Sequence, residues 1–183
     1  MASLYLKNVE GIENPEIGLL NIGTEDTKGT PLQKEAYAKL QKAHEQGLVN
    51  FVGNVEARDV PLGAVDVVVC DGFSGNVLLK SIEGTAYFMG SLMKHKIFKR
   101  NIFSMIGYLF CKKGVKEVFN MMDYREIGGT QFLGIRKPVI KVHGASDERA
   151  FRNAVKQAID AAENNIAGEL EQYLSILKEN GDD

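Results

Sequence analysis

Cysteine and histidine are scarce in this chain of 183 residues: two cysteines, Cys70 and Cys111, and three histidines. The cysteines lie far apart with no paired spacing, which argues against a disulfide framework and against a zinc site. A reducing, cytoplasmic compartment fits this usage best. Asp71, Asp123 and Asp147 are scattered along the chain, so no carboxylate cluster for a hard cation is visible either. No metal and no cofactor is expected. Long apolar runs are missing as well, none approaching the roughly 20 residues that cross a bilayer. The opening "MASLYLKNVEG" lacks the basic start and apolar stretch of a signal peptide. Charge of one sign does not dominate: the formal net charge of −2 removes any global pull toward nucleic acid and leaves electrostatic function to local clusters. Repeats, low-complexity tracts and linkers are absent from the sequence.

What remains is an ordinary globular composition, 44% hydrophobic and 25% charged, in a length that suits one domain with a sizeable core. "EIGLLNIG" (16–23), "VNFVGNV" (49–55) and "VDVVVC" (65–70) read as short buried strands. "KPVIKVHG" (137–144) reads as a fourth strand, paired with "TQFLGI" in a hairpin. Between the first two lies a full helix specification: Thr30 to cap, Pro31 at the first turn, Gln33 to complete a capping box, and Gly47 to stop. A helix opens at Gly75-Asn76 and runs to about residue 96, a second covers 101–122 with interruptions at Gly107 and Gly114, and a long one follows Ser146. Asp147 and Glu148 suit the first turn of that last helix. Its core-facing stripe is expected from Phe151, Val155, Ile159, Ile166, Leu170 and Leu174. Strands alternating with helices give the class: α/β, a largely parallel sheet flanked by helices. "MASLYLKNVEG" looks like the end of a helix without a cap, so the chain is expected to be the C-terminal part of something longer.

In open α/β sheets ligands gather beyond the carboxyl ends of the strands. The stretch "VVVCDGFSGNVLLKSIEGTA" (67–86) hands a strand to a helix through two glycines. A helix N-terminus there offers unpaired N–H groups to an anion, and glycines let the backbone come close or take left-handed angles. Gly72, Gly75 and Asn76 are therefore candidates for an anion cradle, with Asp71 placed for chemistry or to orient a cation. Asn76, Lys80 and Glu83 share a helix face by their spacing. The plain alternative is that the glycines only permit a tight turn, since the stretch is neither a Walker loop nor a GxGxxG fingerprint. A second strand end, "LLNIGTEDTKG", supplies Asn21, Gly23, Glu25, Lys28 and Gly29; a third, "VHGASD", supplies His143, Gly144, Ser146 and Asp147. Singly, Lys28 reads as a solvated loop lysine and His143 as a satisfied histidine at a core edge. Together, three glycine-bearing strand ends are expected to converge on one side of the sheet and to suit a phosphate-bearing substrate.

"LLNIGTEDTKG", "VVVCDGFSGNVLLKSIEG", "DYREIGG" and "HGASD", in this order and spacing, resemble the C-terminal half of bacterial phosphate acyltransferases of the PlsX family. The resemblance covers essentially the whole chain. It implies a fold like that of isocitrate and isopropylmalate dehydrogenases, incomplete here at the N-terminus, and usually a homodimer. It implies transfer of a fatty acyl group from acyl-acyl-carrier protein to orthophosphate, giving acyl phosphate for phospholipid synthesis. On that reading Lys28, Asp71, Asn76 and His143 are the catalytic candidates, and Asn21, Gly23, Gly72, Gly75, Lys80 and Ser146 bind substrate. Two departures stand out: a whole N-terminal portion is missing, and "GGTQFLG" (128–134) replaces the small-Pro-Leu pattern expected after the paired glycines. A phosphotransacetylase-like enzyme using acyl-CoA shares the fold, and a catalytically silent fragment is the non-enzyme alternative.

One stretch stands apart from the site. "KHKIFKRNIFSMIGYLFCKKGVK" (94–116) holds seven Lys or Arg and no acid, interleaved with Ile, Phe, Leu and Met. It lies in a helical basic-apolar excursion, at about 94–122, of a domain that otherwise fills residues 1–183. Core or dimer packing with a solvated lysine face is one reading, and docking of the acidic carrier protein is another. A peripheral contact with an anionic membrane is the reading the resemblance favours.

Overall fold

The computed structural model describes residues 1–121 and 128–180. They fall into two compact units: Met1–Gly72, Gln131–Ile140 and Lys156–Asp183 in the first, Phe73–Thr130 and Lys141–Val155 in the second.

The first unit is built on a parallel sheet of β1 (Glu16–Asn21), β2 (Asn50–Glu56) and β3 (Val67–Val69), in the order β2-β1-β3. β1 is central, and its Ile17 and Leu19 are buried with Phe51 of β2. α2 (Pro31–Glu45) covers that cluster with Ala36, Tyr37 and Leu40. The Tyr37 and Phe51 rings meet edge to face, centroids 5.1 Å apart. Truncating a buried aromatic such as Phe51 typically costs about 3–5 kcal/mol. The start of α2 follows the sequence closely: Gln33 Oε1 accepts the Thr30 N–H at 3.0 Å, and Pro31 opens the first turn. Gly47 ends it at φ +72°, its N–H donating to the His44 carbonyl. α1 (Ala2–Glu10) ends at Gly11, also left-handed at φ +72°. It packs on α6 (Ile166–Asn180), where the Asn8 amide donates to the Glu169 carboxylate.

β1 and β2 are not in plain register. Ile17 pairs with Phe51, but Gly18 pairs with Gly53, so Val52 is the extra residue of a bulge. Gly53 sits at φ +104°, an angle that glycine tolerates and L side chains rarely adopt. Because side chains alternate across a strand, this one-residue shift reverses which face every later residue of β2 occupies. Asn54 pairs with Leu19 and so lies on the face that carries Ile17, Leu19 and Asn21.

α3 spans Gly72–Leu92, its first residue being the last of the first unit. In the second unit it leads through a π-helical turn, Met93–Phe98, into α4 (Ile102–Met121). Asn101 caps α4, its Oδ1 accepting the Ser104 N–H at 2.8 Å. α4 runs through Gly107 and Gly114 without the expected interruption. The Phe119 ring lies close over Gly90, where a Cβ would stand 2.7 Å from it and the ring would have to shift.

β4 (Gly129–Gln131) and β5 (Ile140–Val142) form a two-stranded ladder of their own. The pairing expected for these segments is present, but β5 does not join the parallel sheet. The neighbour eight residues back is the cheaper partner, because closing a short loop costs less entropy than a long one. α5 (Glu148–Glu163) and α6 replace the single long C-terminal helix. The break falls at Asn164-Asn165: Asn165 is left-handed at φ +46°, and Asn164 Nδ2 donates back to the Asp160 carbonyl. Phe151, Val155 and Ile159 are exposed, not core-facing; the buried α5 positions are Ala150, Ala154 and Ala161. Ile166 and Leu170 of α6 are buried as expected, and the Leu174 side chain lies outside the described set.

Candidate functional site

Three of the expected residues come together after β1. Asn21 is buried, 8% exposed, and every polar group of its amide is engaged. Its Oδ1 accepts the Ile22 N–H at 2.9 Å, while Nδ2 donates to the Lys28 carbonyl and to Asn54 Oδ1, both at 3.1 Å. Asn54 Nδ2 donates in turn to the Glu25 carbonyl at 2.7 Å, and the Lys28 N–H donates to that same carbonyl at 3.2 Å. The backbone from 22 to 29 is thus tied to the sheet by two side-chain amides. Gly23 is buried beneath the turn. A Cβ there would lie 2.7 Å from Glu25 Oε2 and 3.3 Å from Lys28 Cγ, so the lysine stem and the glutamate both fold across this glycine. Lys28 Nζ and Glu25 Oε1 are 3.9 Å apart, a loose and half-exposed pair.

The junction after β3 differs from the sequence expectation in one respect. α3 begins at Gly72, so Gly72, Gly75 and Asn76 all lie within its opening turns in helical conformation. Left-handed backbone, one of the two uses foreseen for these glycines, is not what they supply. The other use stands open at Gly72, where nothing lies within 4 Å of the space a Cβ would fill. Asn76 and Lys80 are exposed one turn apart on α3, and Lys80 Nζ is 2.7 Å from Glu83 Oε2. Asp71 is half-buried beside Cys70, whose thiol pKa is pushed up by burial and then by the Asp71 charge.

At the third strand end, His143 Nδ1 accepts the Ala145 N–H at 3.1 Å, which leaves Nε2 as the ring nitrogen that can donate. Asp147 caps α5, its Oδ1 accepting the Ala150 N–H at 3.0 Å. Ser146 Oγ is a buried atom without a hydrogen-bond partner among the described residues. Since β5 pairs with β4 and with no other strand among the described residues, His143 and Ser146 follow a different sheet from the one that ends in Lys28 and Asp71. Of the motif "DYREIGG", residues 123–127 lie outside the described set, as does Asp123 with them. Its Gly128 is buried at φ +96°, and a Cβ there would strike the Ala154 and Asn153 backbone at 2.5–2.7 Å.

Sequence reasoning missed Asn54. It hid inside a strand pattern, and only the bulge brings it to the Asn21 face. The signal that could have found it is a polar residue, directly after a glycine, in the middle of a parallel strand whose neighbours Phe51, Val52 and Val55 are apolar.

Comparison with known proteins gives this loop and these junctions a context. A family model described as "Fatty acid synthesis protein" matches residues 1–169. The chain belongs to that family. It is 42% identical over its whole length to a phosphate acyltransferase of Thermoanaerobacterium thermosaccharolyticum and 45% identical to one of Alkaliphilus oremlandii. A third relative, the phosphate acyltransferase of Brevibacillus brevis, is 46% identical over 95% of this chain. The chain spans about half the length of these relatives, 53%, 52% and 50% respectively, and corresponds to their C-terminal half. The PlsX-type resemblance read from the four motifs is therefore shown.

Proposed function

We propose that this chain carries the orthophosphate side of a phosphate acyltransferase, a reaction that moves a fatty acyl group from acyl-acyl-carrier protein to orthophosphate. The observation that supports it best is the loop after β1: a lysine laid across a buried glycine, at the carboxyl end of a parallel strand, on backbone pinned by two asparagines. In the proposed reaction an orthophosphate oxygen attacks the thioester carbonyl carbon. The tetrahedral oxyanion collapses, the C–S bond breaks, and the carrier's thiolate leaves and takes a proton from water. No protein nucleophile is needed, since orthophosphate is itself largely dianionic near neutral pH. The protein's work is to hold two anionic reactants together and to stabilise the oxyanion.

Lys28 would meet the phosphate charge, with Asn21 and Gly23 shaping its seat. Gly72, Gly75 and Asn76 would offer N–H groups and an amide to the phosphate or oxyanion at the start of α3. Asp71 would orient a cationic partner, Lys80 would add charge, and His143 Nε2–H and Ser146 Oγ–H would donate hydrogen bonds. Loss of one oxyanion donor of this kind costs about 3 kcal/mol in the transition state. The test is acyl hydroxamate formed when acyl phosphate, made from long-chain acyl-carrier protein and orthophosphate, is trapped with hydroxylamine. Turnover by the 183-residue chain, lost in Lys28→Ala, supports the reading. Turnover with acyl-CoA and none with carrier protein would favour the phosphotransacetylase-like alternative. No turnover from chain shown to be folded would assign the activity to a longer protein and leave this half silent by itself.

The proposal extends to a peripheral contact with an anionic membrane through residues 94–116, in a homodimer. Among the described residues no helix is long and apolar enough to cross a membrane. What supports surface contact is α4 itself, where Phe103, Leu109 and Phe110 are largely exposed, Phe110 at 87%, between Lys99-Arg100 and Lys112-Lys113. Each basic residue at such a surface adds about 1 kcal/mol. Charge reversal at Lys112 and Lys113 is expected to abolish flotation with anionic liposomes.

A further inference from the structure

We propose that Asn54 is a positioning residue: its side-chain amide holds the loop 22–29 in the one shape that lays Lys28 over Gly23. The inference rests on the phosphate-acceptor reading of Lys28. It begins with the order of donors and acceptors. The carbonyls of Glu25 and Lys28 bracket the turn, and each receives an asparagine N–H: Glu25 from Asn54, Lys28 from Asn21. The two asparagines are joined, Asn21 Nδ2 to Asn54 Oδ1. Only one orientation of Asn54 serves. A flipped amide would set Oδ1 against the Glu25 carbonyl and Nδ2 against Asn21 Nδ2, two repulsions in place of two bonds.

The backbone is shaped to permit this arrangement. Without the bulge at Val52-Gly53, Asn54 would project from the opposite face of β2, away from Asn21. Gly53 at φ +104° is what makes the bulge possible. The fold thus departs from regular pairing at the one place that turns an amide toward the Lys28 loop. Among the described residues the other hydrogen bond to these carbonyls, Lys28 N–H to Glu25 O, closes the turn but does not tie it to the sheet. With the Asn54 tie cut, the Glu25 end of the turn is released, and Asn21's bond to the Lys28 carbonyl alone holds the lysine stem less firmly over Gly23.

The experiment compares wild type with Asn54→Ala, Asn54→Asp, Lys28→Ala and the double variant Asn54→Ala/Lys28→Ala. Amide hydrogen exchange reads the loop, and ³¹P NMR titration reads binding of inorganic phosphate. In Asn54→Ala, protection in β1 and β2 is expected to persist while the Ile22 and Lys28 amides exchange at least about tenfold faster. Phosphate affinity is expected to fall about tenfold, and to fall no further when Lys28 is already absent. Asn54→Asp adds a readout that loss of packing would not give. A protonated carboxyl reproduces the asparagine's order, O–H donating to Glu25 and C=O accepting from Asn21, whereas the carboxylate cannot. Its Lys28 protection factor should therefore recover as pH falls, while that of wild type does not change in this way. Unaltered Ile22 and Lys28 exchange in Asn54→Ala overturns the proposal. So does a loss of phosphate affinity that is equal with and without Lys28. Should wild type bind no phosphate, the acceptor reading fails, and the exchange and pH arms still decide for or against Asn54 as the holder of the loop. If Asn54→Ala does not fold, Asn54→Asp at low and high pH carries the same decision.

Discussion

Gly29 and Asn21 fit together only because one of them has no side chain. A Cβ on Gly29 would stand 2.8 Å from Asn21 Oδ1 and 2.8 Å from Gln33 Cβ. Gly29 also sits at φ +91°, where an L residue is strained whatever the space around it. Asn21 cannot move aside, since its amide already makes three hydrogen bonds. Gly29→Ala is therefore expected to destabilise the chain by about 2 kcal/mol or more, strain and clash together. Urea unfolding checks it: the midpoint should fall with little change in slope. An unchanged midpoint would mean the loop reshapes freely, and the clamp with it.

Cys70 offers a test of the β3 end that needs no substrate. Cys70 is exposed as a residue, but partial desolvation of its thiol disfavours the thiolate and the neighbouring Asp71 carboxylate disfavours it further, so its pKa is raised. The thiolate is the form that alkylates. Near pH 8, then, Cys70 should react with iodoacetamide more slowly than a free model thiol and catch up only as pH rises. Asp71→Asn removes the second cause and should speed the reaction, while burial keeps it below the model rate. Mass-spectrometric mapping separates Cys70 from Cys111. An Asp71→Asn rate equal to wild type would show that Asp71 does not project its charge onto this strand end, and would weaken its proposed part in orienting a cation.

Why some of this was legible in sequence and some was not follows from the range of each interaction. The start of α2 was readable because Thr30, Pro31 and Gln33 act within one turn. The three parallel strands were readable because apolar runs mark strands buried on both faces. The glycine-bearing ends of β1 and β3 lie where the residue pattern placed them, and Asn21, Gly23 and Lys28 do assemble after β1. Asn54 was not readable because its role depends on a one-residue bulge in β2, a strand that pairs with β1 but lies some thirty residues on in sequence. The exposed Phe151, Val155 and Ile159 were misjudged because periodicity marks an apolar face without saying what covers it. The Asn164-Asn165 break was missed because asparagine signals a helix end more weakly than glycine or proline does.

Asn165 itself carries a prediction. It is the one non-glycine residue at positive φ among those described. Its side chain lies against Gly168, where a Cβ would come within 2.6–2.9 Å of the amide. Asn165→Ala keeps the strained angle and loses asparagine's tolerance for it, so a loss of about 1 kcal/mol is expected. Asn165→Gly should be close to neutral, its easier backbone offset by a freer unfolded chain. Thermal or urea unfolding of the pair checks the order. If alanine were the more stable, α5 and α6 would prefer to run on as one helix, and the turn between them would be imposed by packing alone.

The Glu25 carboxylate is the proposed phosphate's nearest competitor. Its Oε2 overlies Gly23, and its Oε1 stands 3.9 Å from Lys28 Nζ. A pair this loose and half-exposed contributes only a few tenths of a kcal/mol to stability. Its effect on an arriving dianion is larger in kind, because it occupies the cation and repels the ligand at once. Glu25→Gln should therefore leave the unfolding midpoint nearly unchanged and tighten orthophosphate binding about threefold, with the gain shrinking at high salt as screening removes the repulsion. Isothermal titration at low and high ionic strength measures both. The same substitution in a Lys28→Ala background should retain only the repulsion term, so the two gains differ by what Lys28 regains when its carboxylate is removed. Equal gains would mean that phosphate never meets Lys28, and the anion would have to be sought at the start of α3 instead.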